Sequence, residues 1–123
     1  MAAGDFLKVA AGQVRQASMA LKQEAKGMLN ERENTARQKS SNITQAQLKL
    51  KAKQVELNDP NKDQREKDEI TREVNRLQQE ITNEQQEMQN VTQTLADGAG
   101  KKQSQAQQLD GRASDLESQA GAL

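Results

Sequence analysis

The 123-residue chain contains no cysteine, no histidine, no tryptophan and no tyrosine, and it has one phenylalanine and one proline. Without cysteine there is no disulfide and no thiol nucleophile, and without cysteine or histidine there is no zinc-finger ligand set. Histidine-based acid–base chemistry is excluded as well. Aromatic side chains usually supply much of a compact core, and here Phe6 stands alone. A coiled-coil seam does without them, because Leu, Ile, Val, Met and Ala fill it. The formal net charge is zero, from 18 basic and 18 acidic residues. A nucleic-acid binder usually carries a basic excess, so no nucleic-acid partner is expected. Hydrophobic residues make up 33% of the chain, against roughly 45–50% for an average protein when glycine is included. No apolar run approaches the roughly 20 residues that span a bilayer. Residues 1–12 lack a basic segment followed by a continuous apolar one, so no cleaved secretory signal is expected. The expectation is a chain that stays in the cytoplasm or leaves by a signal-independent route.

What the chain does have is helical periodicity on both sides of Asp59-Pro60, near its midpoint. Upstream, Ala36, Ile43, Leu50 and Leu57 recur every seven residues; downstream, Ile70, Val74, Leu77, Ile81, Met88, Val91 and Leu95 alternate between steps of about four and three. Nearer the N-terminus Leu7, Val14, Leu21 and Met28 form a heptad column, with Ala11, Ser18 and Ala25 in the companion column. The column shifts by one residue between Met28 and Leu29, a local adjustment of the repeat. The fold class is therefore all-α: a long antiparallel helical hairpin of coiled-coil type, turning at Asn58–Pro60, in a single domain. The first arm covers about 5–57, the turn 58–62 and the second arm about 63–96. Asn58 suits the left-handed conformation that ends many helices. Asp59 can cap the next helix with Pro60 in its first turn, and Asp63 with Glu66 offers a second capping box. Asp97-Gly98-Ala99-Gly100 predicts a break at 97–100, since each glycine costs about 1 kcal/mol relative to alanine. A weaker helical segment follows over about 101–122, with Leu109, Ala113, Leu116 and Ala120 in its stripe. Folding at Pro60 sets Leu50 near Ile70 and Ile43 near Leu77.

The expected hairpin seam is Ile43, Leu50, Leu57, Ile70, Val74, Leu77, Ile81 and Met88. Leu48, Ala52 and Val55 lie on a different stripe, which one partner helix cannot cover, and they form the candidate inter-subunit interface. From Asn34 to Val55 there is no acidic residue, whereas acids dominate from Glu66 to Glu87. The hairpin superposes these segments, and opposite flanking charges select orientation in coiled coils. Gly4, Gly12 and Gly27 fall opposite Gly121, Gly111 and Gly98, so small residues gather at both chain ends and would let a neighbouring helix approach. The segment from Phe6 to Leu29 is amphipathic, but its apolar face is rich in Ala, so coiled-coil packing is expected ahead of membrane insertion.

No catalytic, cofactor-binding or metal-ligating residue emerges. Glu80 and Glu84 are spaced for one helix face, as on any solvated helix. Gly98-Ala99-Gly100-Lys101 lacks the longer loop and the Lys-Ser/Thr ending of a phosphate-binding loop. The expectation is a non-enzymatic structural protein, without cofactor, that self-associates into a homo-oligomer or filament. Two other classes fit the same composition: a coiled-coil adaptor or chaperone that binds a partner helix of another protein, and a hydrophilic stress protectant. In architecture alone, the hairpin with a short Pro-containing turn is similar to the hairpin filament and needle subunits of bacterial secretion machines. That resemblance implies a subunit of a secretion or surface assembly. Small exported hairpins marked by a Trp-x-Gly turn are a poorer comparison, because this chain has no tryptophan.

Overall fold

A computed structural model describes residues 2–123. Two helices, α1 (Ala3–Leu57) and α2 (Gln64–Ala122), pack against each other as a helical hairpin. Neither helix contains proline; Ala, Gln, Lys and Leu are frequent in α1 and Gln, Glu and Ala in α2, residues that lose little on entering a helix.

The turn differs in detail from the sequence expectation. No described residue has a positive φ, so Asn58 does not end α1 in the left-handed conformation. Instead the Asn58 and Asp59 N–H groups donate to the Val55 and Glu56 carbonyls at 3.2 and 3.1 Å. These three-residue closures satisfy carbonyls that the helix end would leave open. Asp59 does not cap α2 either. Its Oδ1 accepts from Asn61 N–H at 2.9 Å, and its carbonyl accepts from Lys62 N–H at 3.3 Å. Pro60 is therefore the second residue of a four-residue turn, where its fixed φ fits, rather than part of the first helical turn. The cap is Asp63, whose Oδ1 accepts from Glu66 N–H at 2.8 Å, and α2 begins at Gln64.

The chain divides into two compact units. The first to consider, Glu33–Gln93, holds the turn. Its buried side chains are mostly branched aliphatics: Ile43, Ile70, Val74, Leu77 and Ile81, with Ala46. Ile43 clusters with Ala46 and Ile81, and Leu50 and Met88 pack against that cluster. Ile43 thus meets Ile81 rather than Leu77, a register displaced by four residues, one helical turn. The cap explains it, because α2 starts behind Asp63 and not behind Asp59. Val91 is also out of the seam, exposed at 39%, and Thr92 is half-buried in its place. The steps Glu84–Met88–Thr92 are two successive fours, a stutter in the repeat.

The other unit comprises residues 2–32 with Thr94–Leu123. Its buried positions are Ala11, Ser18 and Ala25 on α1 and Ala99, Ala106, Ala113 and Ala120 on α2. Leu7, Val14, Leu21 and Met28, the bulkier column, are only half-buried. The small residues therefore form the centre of this seam, and the large ones close its edges. Such a seam requires close backbones. A Cβ on Gly4 would stand 3.3 Å from the Ala120 carbonyl oxygen, and the Ser18 hydroxyl reaches the Ala106 carbonyl at 3.1 Å.

This packing also overturns the expected break at 97–100, since α2 runs unbroken through Asp97–Gly100. Ala99 is buried at 1%, and Gly98 lies beneath Met28, where an added Cβ would be 3.2 Å from Sδ and Cε. Gly98 makes room for a seam contact. Interrupting the helix there would create two new ends with unpaired backbone groups, a larger loss than the roughly 1 kcal/mol each glycine costs.

Candidate functional site

Among the described residues, no group of three or more His, Cys, Asp or Glu is placed to hold a metal ion, and no helix is long and apolar enough to cross a membrane. The described surface presents charged groups, side-chain amides and uncovered apolar side chains.

The seam residues Ile43, Ile70, Val74, Leu77 and Ile81 are buried, Leu77 to 2%, while Leu50, Leu57 and Met88 are half-buried. Leu48, Ala52 and Val55 are all exposed, Leu48 at 64% and Val55 at 67%. Leu48 and Val55 are seven residues apart with Ala52 between them, so they share one face of α1. That face is turned away from Ile43 and Leu50 and has no cover from α2.

In the turn-bearing unit, cross-helix ion pairing centres on Lys39. Its ammonium lies 2.7 Å from Glu87 and 3.2 Å from Glu84. Glu87 and then Glu84 hold the lysine above its ordinary pKa by accepting hydrogen bonds from it. Glu84 Oε2 is shut from solvent and accepts no hydrogen bond, so the nearby ammonium compensates its charge electrostatically. The remaining pairs of this unit lie within a helix or the turn: Arg37–Glu33, Lys53–Glu56, Lys62–Glu66, Arg65–Glu69 and Arg76 with Glu73 and Glu80. The broad opposition of basic and acidic arms thus condenses into one cross-helix cluster.

Sequence reasoning missed three cross-helix pairs in the other unit. Arg15 grips Glu117 with two nitrogens at 2.6 and 3.1 Å, Lys22 meets Asp110 at 2.8 Å, and Lys102 meets Glu24 at 2.7 Å. A signal was present: Arg15 and Lys22 are seven residues apart, and so are Asp110 and Glu117. Opposite charges at matching heptad intervals on antiparallel helices face each other twice. Arg15 holds Glu117 below the usual carboxylate range. Lys22, by its hydrogen bond, does the same for Asp110.

The turn-bearing unit has two unlike flanks. On α2 each large seam residue is preceded by a charged residue and followed by an uncharged polar one: Glu69-Ile70-Thr71, Glu73-Val74-Asn75, Arg76-Leu77-Gln78, Glu80-Ile81-Thr82 and Glu87-Met88-Gln89. Two antiparallel right-handed helices turn the residues that precede their seams to one side and those that follow to the other. The preceding residues meet in a shallow groove lined by Gln45 and Lys49 of α1 and Arg76 and Glu80 of α2. The following residues occupy the opposite side. On α1 these are Arg37, Ser40, Thr44, Gln47, Lys51 and Gln54, with Arg37 and Lys51 the two charges.

Gly4 and Gly98 stand level with their expected partners to within one residue, beside Ala120 and Met28, whereas a Cβ at Gly12, Gly27, Gly111 or Gly121 would meet open space. No family model matches this chain, and no curated protein or solved structure matches it.

Proposed function

We propose that this chain is a non-enzymatic structural protein, a helical-hairpin subunit that self-associates into an oligomer or filament. The observation that carries this reading is the uncovered stripe of Leu48, Ala52 and Val55, with its two large side chains about two-thirds exposed. A two-helix hairpin covers one stripe per helix, so a second apolar stripe finds cover only on another molecule. A stripe that meets a different surface of its neighbour makes a heterologous contact, and such contacts propagate into open assemblies unless they close into a ring. Sedimentation over a concentration series, followed by electron microscopy of the large species, tests the reading. The expected result is growth with concentration in the parent and reduced growth in a Leu48→Gln/Val55→Gln variant of unchanged helicity. A parent that stays monomeric throughout contradicts it.

A second reading, an adaptor that holds a partner helix, draws on the shallow groove beside Leu21 and Leu109 in the other unit. It predicts small discrete oligomers that change state when an amphipathic helical peptide is added.

A further inference from the structure

We propose that the amide-rich flank of the turn-bearing unit docks against the same flank of a second copy. The inference rests on the self-association reading and adds a second contact surface, distinct from the Leu48–Val55 stripe. Its central residues are Gln47 and Gln54 on α1 and Gln78, Gln85 and Gln89 on α2, all exposed.

Three physical features favour a copy of the same chain as the occupant. First, the side-chain amide both donates and accepts hydrogen bonds. A face of glutamines related to itself by a two-fold axis can satisfy both roles, as an isologous contact requires. Second, two threonines among them have turned their hydroxyls back to the helix. Thr71 and Thr82 donate to the carbonyls of Lys67 and Gln78 at 2.8 and 3.1 Å. Their hydroxyls are already satisfied, and burying them removes no unmet polar group. Third, charge decides between the flanks. The opposite flank carries Glu69, Glu73, Glu80 and Glu87 with Lys49 and Arg76, and pairing it with itself would desolvate all of these ions. The amide-rich flank carries only Arg37, already paired with Glu33, and Lys51, and neutral amides are far cheaper to desolvate than ions.

From Thr71 to Thr92 the flank is about 30 Å long at 1.5 Å per residue, and two adjacent helices are about 20 Å wide. That is about 600 Å² per copy and about 1,200 Å² in total, the lower limit for a specific interface. The pair is accordingly weak and reversible, a four-helix arrangement that the Leu48–Val55 stripe can extend.

The test uses the full chain and charge reversal on the flank. Gln78→Glu/Gln85→Glu and Gln78→Lys/Gln85→Lys both keep good helix formers at exposed positions, and circular dichroism checks that helicity is unchanged. In sedimentation equilibrium each variant alone should lose at least tenfold in pairing affinity, and an equimolar mixture of the two should regain it. The Leu48→Gln/Val55→Gln variant should still pair but grow no further. If the parent associates and both charge variants associate as tightly, the flank is not the contact, while the self-association reading stands. If the variants lose pairing and the mixture does not regain it, the inference is also overturned, because the loss is then not one of facing charge. A parent that never associates overturns both readings.

Discussion

The two units solve one problem, pairing α1 with α2, in opposite ways. The turn-bearing unit buries Ile43, Ile70, Val74, Leu77 and Ile81, each worth about 1.5–3 kcal/mol when fully removed from water. The other unit buries Ala11, Ala25, Ala99, Ala106, Ala113 and Ala120 around Ser18. An alanine methyl contributes about 0.8 kcal/mol, so area alone does not hold this pair. Close backbones, a buried hydroxyl bonded across the seam and three cross-helix ion pairs supply what the missing side-chain bulk does not. An aliphatic seam suffers when atoms are removed or charge is added. An alanine seam suffers when atoms are added, since close packing leaves nowhere for them to go.

The largest expected effect breaks the aliphatic seam. Leu77→Asp places a carboxylate where the side chain is 2% exposed and should cost on the order of 4 kcal/mol. Thermal melting by circular dichroism should show it as a large loss of helicity at room temperature. Ala106→Leu puts the opposite stress on the alanine seam, where Ala106 is fully buried. Overpacking there should cost about 1–3 kcal/mol even though leucine is apolar and a strong helix former. If Ala106→Leu stabilises the protein instead, the alanine seam is not closely packed and the contrast between units fails.

Smaller changes sharpen the contrast. A Cβ at Gly100 meets open space, and its φ is negative, so Gly100→Ala should stabilise by about 1 kcal/mol or a little less. Gly98→Ala should gain less, because its Cβ stands 3.2 Å from Met28 Sδ and Cε and the flexible methionine end must give way. The smallest effect is that of acid. Asp110 and Glu117 have folded pKa values below their ordinary ones, so their contribution is fully present above the usual carboxylate range. It is lost as the pH falls through the depressed values. Melting temperatures between pH 7 and pH 3 should fall more for the parent than for an Arg15→Gln/Lys22→Gln variant, which has no such pairs to lose.

Much of the turn-bearing unit was legible in the sequence, because Ile43, Leu50, Leu77 and Ile81 are unambiguous by hydropathy and Asp59-Pro60 marks the turn. The register was not. Asp59 and Asp63 both read as caps, and only the backbone shows that Asp63 serves α2, which moves the pairing by one turn. In the other unit both columns were legible, but not which of them is central. Leu7, Val14, Leu21 and Met28 outweigh Ala11, Ser18 and Ala25 on any apolar scale, yet distance between backbones decides which column is central. The same blindness made Gly98 and Gly100 look like a helix break. Their propensity is local and visible, whereas the burial of Ala99 against α1 is tertiary. The two unlike flanks were present in the letters around Ile70, Leu77 and Ile81, but they acquire meaning only once the seam is known.

The most direct test of the account is a pair of spin-label distances, one in each unit, measured in doubly labelled protein diluted with unlabelled chain. Asn42 and Asn83 report on the turn-bearing unit, and Ala20 and Gln105 on the alanine unit; all four are exposed. Antiparallel helices in contact have axes about 8–10 Å apart. Both label pairs should therefore lie within roughly 20 Å once side-chain linkers are added. A distance above about 50 Å in either unit would mean that α1 and α2 are not paired there, and the seam described for that unit would be wrong.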